Sequence, residues 1–191
     1  MHKTRLEAFS DGVLAIIITI MVLELRAPHG AAWADLRPLL PSLLCYALSF
    51  LMLGIYWNNH HHLLQAAQKV NGHILWANMH LLFWLSLVPF VTSWMAENHF
   101  AARPVALYGG VLWMAALAYY ILVRALLAHH GAESALARAI GSDFKGKVSL
   151  LIYTAAIALA FWNPLLAILL FVTVALTWLV PDLRIEKTLG R

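Results

Sequence analysis

Of 191 residues, 62% are hydrophobic and only 12% are charged, and the mean hydropathy is +0.76. A water-soluble domain needs roughly a quarter of its residues charged to cover its surface, so this composition excludes one. The basic excess of +4 is accounted for by orientation in a bilayer and does not call for nucleic acid, and the lone Cys45 excludes an intramolecular disulfide.

The apolar runs predict an all-α, polytopic membrane protein with six transmembrane helices in a single domain over residues 1–191. The first segment, about Leu6–Leu25, reads as a retained helix. Glu7 and Asp11 fall where a signal peptide would be apolar, and no clear cleavage site follows. After Pro28-His29-Gly30 comes the second segment, Leu39–Leu63, and after Asn71-Gly72 the third, Ile74–Trp94. Arg103-Pro104 precedes the fourth, Val105–Leu127. The charged stretch Gly131–Lys147 leads to Val148–Trp162 and Leu165–Val180, which Asn163-Pro164 joins as a tight hairpin. Many of the eight Trp lie near predicted helix ends, as in an interfacial aromatic belt.

Orientation follows from the Lys and Arg count. With the N-terminus inside, ten basic residues are cytoplasmic: Lys3, Arg5, Lys69, Arg124, Arg138, Lys145, Lys147, Arg184, Lys187 and Arg191. Only three, Arg26, Arg37 and Arg103, face the other side. Both termini are therefore expected in the cytoplasm, with the protein in the cell membrane.

Helix one differs from an ordinary anchor. A carboxylate such as Asp11 near the hydrocarbon region costs about 2.5–3.5 kcal/mol, so it is paired, faces water, or marks a solvated helix start. Gly12, Ile16, Thr19, Ile20 and Leu23 share one face at helical spacing, whereas Ser10 points nearly opposite and Asp11 about a quarter-turn away. Spacing alone leaves that stripe facing lipid, another helix or a pore. Partners for Ser10 and Asp11 are at hand in the Tyr56–His62 run and in Trp76, Asn78 and His80. Glu24 is either an acidic ring at a pore mouth or a solvated helix end. Thr19 either lends its hydroxyl to an ion or bonds back to the Ala15 carbonyl.

The pattern Arg5-x-x-x-Phe9-Ser10-Asp11-Gly12-x-x-x-Ile16-x-x-Thr19 resembles the signature of the transmembrane protein 175 family, the lysosomal potassium channels and their bacterial relatives. The resemblance continues in Trp57-x-Asn59-His60-His61, Leu75-x-x-Asn78 and Pro89-Phe90-x-Thr92. It implies a homotetramer with helix one of each subunit lining the axis. It places Ile16 at an isoleucine constriction, Thr19 at a threonine ring influencing potassium preference, and Ile20 and Leu23 on the same pore stripe. It further implies an inter-helix polar network of Arg5, Phe9, Ser10, Asp11, Trp57, Asn78 and either His60 or His61. The activity implied is conduction of potassium, and of other monovalent cations if selectivity is weak, with no cofactor and no enzymatic chemistry.

No Thr-Val-Gly-Tyr-Gly filter and no Arg-rich sensor helix is present, so carbonyl rings do not supply selectivity. Adjacent histidines on a helix diverge by about 100°, which argues against a metal site at His60-His61-His62. The rival reading is a proton channel or proton-coupled transporter using Asp11 and a histidine of the second helix. An unbroken first helix and the lack of an internal repeat weigh against the transporter form.

Overall fold

A computed structural model of the chain describes residues 3–131, 134, 136–137 and 143–179. Val180, which closes the sixth predicted segment, and the basic residues Arg138, Arg184, Lys187 and Arg191 lie outside the described residues. Among the described residues every regular element is helical, as the apolar runs require.

Helix α1 spans Lys3–Leu23. A 3₁₀ segment, Trp33–Leu39, follows, absent from the sequence-based reading; the Asp35 carboxylate holds its start by accepting from the Ala32 N–H at 2.9 Å. Pro41 then sits in the first turn of α2 (Leu40–Ala66), where its missing N–H is harmless. The third pass is two helices, α3 (Gly72–Ser86) and α4 (Val88–Glu97), where the sequence reading ran one segment through. Pro89 is the reason, because it has no N–H for the Leu85 carbonyl. Just before it the Leu87 N–H tightens onto Trp84 O at 3.3 Å.

Helix α5 (Ala102–His130) is the longest and ends at Gly131, whose φ of +84° only glycine adopts freely. α6 (Phe144–Ala160) and α7 (Pro164–Leu179) form the expected hairpin. Asn163 Oδ1 caps α7 by accepting from the Leu165 and Leu166 N–H groups at 3.1 and 3.3 Å. Among the described residues the helices fall into six runs. α1, α2 with its preceding turn, α3–α4 and α5 are each long and apolar enough to cross a membrane, and α7 is a shorter apolar helix.

α1 packs on α2, α3 and α4, while α5 packs on α3, α4, α6 and α7. Two devices lock these layers. A buried hydroxyl chain crosses three helices at the break in the third pass: Ser49 Oγ lies 2.7 Å from Thr92 Oγ1 and 3.1 Å from Tyr108 OH. Thr92 donates to Val88 O at 2.7 Å, so Ser49 must donate to Thr92 and Tyr108 to Ser49. Gly109 allows close approach of α5 and α7, since a Cβ there would stand 2.7 Å from Phe171 Cζ.

Candidate pore-lining helix and its polar anchor

The two faces of α1 meet different surroundings. Leu6, Ser10, Leu14, Ile17 and Met21 recur every three or four residues and are buried against the rest of the subunit. On the other side Ile16, Ile20 and Leu23 are 59%, 43% and 76% exposed, and Thr19 is exposed with them. A Cβ on Gly12 would meet nothing within 4 Å, so the subunit itself does not need a glycine there. The predicted stripe is thus a continuous face that the subunit leaves without a partner.

Three linked hydrogen bonds lie on the buried side, and one of them ties α1 to α3. Ser10 Oγ donates to the Leu6 carbonyl at 2.8 Å and accepts from Asn78 Nδ2 at 2.9 Å. Asn78 Oδ1 then lies 2.7 Å from His60 Nε2. Because the Asn78 amide nitrogen is engaged with Ser10, its oxygen must accept, and the proton of His60 resides on Nε2. His60 Nδ1 is left buried with no partner among the described residues. Ser10, Asn78 and His60 are all buried, so each of these bonds replaces water that cannot enter.

Separately, the Trp57 indole N–H donates to Asp11 Oδ1 at 3.0 Å, and its ring stacks on His61 at 5.8 Å between centroids. His61 Nδ1 in turn lies 3.5 Å from Glu7 Oε1. The two histidines that the sequence left undecided therefore go to different partners, His60 to Asn78 and His61 to Glu7. Arg5 and Phe9, expected in one network with them, form no hydrogen bond with it among the described residues, and both are exposed.

Some anchoring contacts escape a sequence reading. Lys3 Nζ donates to the Leu64 and Gln65 carbonyls at 3.1 Å each, pinning the start of α1 to the end of α2. A basic residue near a helix C-terminus is the signal that could have suggested it, but the pairing needs the helix register. At the far end, Ser93 Oγ donates to Glu24 Oε2 at 3.3 Å, tying the residue after α1 to α4. Glu24, Arg26 and Glu97 line a cavity of about 230 Å³ at this end. Thr19 Oγ1 does bond back, to Ala15 O at 2.9 Å and Ile16 O at 3.0 Å. Its lone pairs remain on the exposed face.

The segment that carries this anchor matches a known family. Residues 5–89 match the family model of the endosomal/lysosomal potassium channel TMEM175. A protein of Chryseobacterium sp. (strain P1-3), named a potassium channel, is 58% identical over 189 residues, covering 99% of this chain and 98% of the relative. This chain belongs to the TMEM175 family. The crystal structure of a lysosomal potassium-selective channel TMEM175 homolog from Chamaesiphon minutus matches with a TM-score of 0.81 at 28% identity, covering 94% of this chain and 97% of that one. A Gallus gallus relative, named an endosomal/lysosomal proton channel TMEM175, is 31% identical over 113 residues, or 51% of this chain and 23% of its own length. TMEM175 proteins are membrane ion channels and not enzymes. The family match ends at Pro89, so α5–α7 belong to it through the full-length relative and the shared fold.

Proposed function

We propose that four copies of this chain form a homotetrameric cation channel in the cell membrane that conducts potassium along an axis lined by α1. The observation carrying this reading is the unpartnered face of Gly12, Ile16, Thr19, Ile20 and Leu23, set opposite a face locked by Ser10 and Asp11. Fourfold packing would bring the Ile16 side chains together at a constriction too narrow and too apolar for a hydrated cation. Stripping that hydration without replacement ligands is prohibitive, so the ring closes by dewetting. Opening needs the side chains to leave the axis. The hydroxyl proton of Thr19 is committed to backbone carbonyls, which leaves oxygen lone pairs to replace part of an ion's shell. No bound cofactor is needed, since potassium is cargo. The basic bias and an even number of passes support both termini in the cytoplasm.

Proton conduction is the second reading, favoured by the name of the Gallus gallus relative and by the bare Nδ1 of His60. Against it, Asp11 is bonded to the Trp57 indole, which is no proton carrier, and the Ser10–Asn78–His60 chain passes through an amide. Purified protein in liposomes under opposing potassium and sodium gradients, with a pH dye enclosed, separates the readings. A reversal potential near that of potassium supports the channel proposed. Proton movement without monovalent current supports the second reading, and absence of both overturns each.

A further inference from the structure

Two histidines at the end of α5 accept hydrogen bonds from the segment joining α2 to α3. His130 Nε2 lies 3.0 Å from the Gln68 backbone nitrogen and 3.3 Å from that of Lys69, both of which donate to it. His130 Nδ1 lies 2.9 Å from the Leu126 carbonyl, to which it can only donate, so its one proton is there and Nε2 is bare. His129 Nδ1 lies 3.2 Å from Asn71 Nδ2, whose own Oδ1 accepts from the Ile74 N–H and caps α3. His129 is therefore also an acceptor. The neutral imidazoles thus hold three N–H groups of residues 68–71.

We propose that this pair is a pH-sensitive clasp: neutral, it docks the α2–α3 linker onto α5, and protonated, it lets the linker go. Adding a proton to His130 Nε2 replaces a lone pair by an N–H aimed at two other N–H groups, so two bonds are lost and none is gained. The other ionisable groups on the surrounding elements are mostly basic. The linker brings Lys69, α3 brings His73, α5 brings Arg124, and Lys3 of α1 is bound one turn away at the end of α2. α6 brings Lys145 and Lys147 with Asp143 at its start, and the α1 carboxylate Glu7 is engaged with His61. Docking therefore holds while the two imidazoles are neutral and is lost when they take up a proton.

The clasp acts on a segment that matters to α1. Just before the linker, the Leu64 and Gln65 carbonyls hold Lys3, and just after it α3 carries Asn78. Release of residues 68–71 loosens the short connection between these two supports of α1, while α3 itself stays packed on α5. The link to conduction rests on α1 lining the path; the clasp itself does not.

Hydrogen exchange of the full-length protein in lipid nanodiscs at pH 8 and pH 5, expressed as protection factors, tests it directly. The amides of Gln68 and Lys69 should lose protection on the order of tenfold at pH 5, while α2 residues 45–55 keep theirs. His130→Gln keeps an acceptor at the same place but does not titrate, and should abolish that pH dependence. A wild-type linker equally protected at both pH values, an equal loss in His130→Gln, or a parallel loss across α2 overturns the clasp. None of these readouts requires ion flux, so the clasp and the channel reading fail separately.

Discussion

Asn78 joins α1 and α2 through a single side chain, accepting from His60 and donating to Ser10 in a buried setting. Asn78→Ala strands both partners, at about 1–3 kcal/mol each, so its thermal unfolding temperature in mild detergent should fall furthest among single changes in the anchor. Asp11→Ala removes a half-exposed bond to Trp57 and should lower stability by only about 1 kcal/mol; if it instead leaves stability intact and alters ion preference, Asp11 faces the path. Ile16 and Ile17 separate function from packing. Ile17 is 5% exposed, so Ile17→Ser should destabilise by about 2–4 kcal/mol, whereas Ile16→Ser removes little contact within the subunit and should raise resting potassium flux. Flux that rises equally in both variants would argue against an Ile16 constriction. At this scale the sequence was informative about chemistry and silent about pairing. A Ser-Asp pair beside an apolar run demands polar partners, and the Trp57–His61 run offered them. Which histidine meets which acceptor depends on the rotation of α2 about its axis, and one residue of rotation exchanges His60 for His61.

The elements themselves were largely legible, because six apolar runs separated by Pro, Gly and Asn leave few alternatives. Of two features that hydropathy misses, one has a local cause and the other a tertiary one. Pro89 broke the third pass although its run of apolar residues continues, and hydropathy does not register a missing N–H. The hydroxyls of Ser49, Thr92 and Tyr108 lie in separate apolar stretches, so their meeting depends on tertiary register. Thr92→Val should strand Ser49 and lower stability by about 1–2 kcal/mol, loosening α4 where it holds Glu24 through Ser93. Adjacent glycines of α5 give a sharper contrast. Gly109→Ala would drive a methyl into Phe171 and Ile157 and destabilise by about 1–3 kcal/mol. Gly110→Ala meets nothing within 4 Å and should be neutral or slightly stabilising, as alanine favours helix. Unfolding curves of the two variants check the close approach of α5 and α7 without reference to ion flow.

At the scale of the whole molecule, the single chain presents a paradox that the proposed assembly would resolve. Its first helix exposes an isoleucine and leucine face while tying polar groups inward. Native mass spectrometry should find four chains. A stable monomer in mild detergent would remove the axis on which the Ile16 ring depends. The central claim is that this face lines the ion path rather than lipid, and cysteine modification decides between them. Leu23 and Leu151 are 76% and 71% exposed in the subunit but lie on α1 and α6, and the native Cys45 is buried. In liposomes, a cationic methanethiosulfonate reagent should suppress potassium flux through Leu23→Cys and leave flux through Leu151→Cys unchanged. Unaltered flux through fully labelled Leu23→Cys, or equal suppression at both positions, would contradict a path lined by α1.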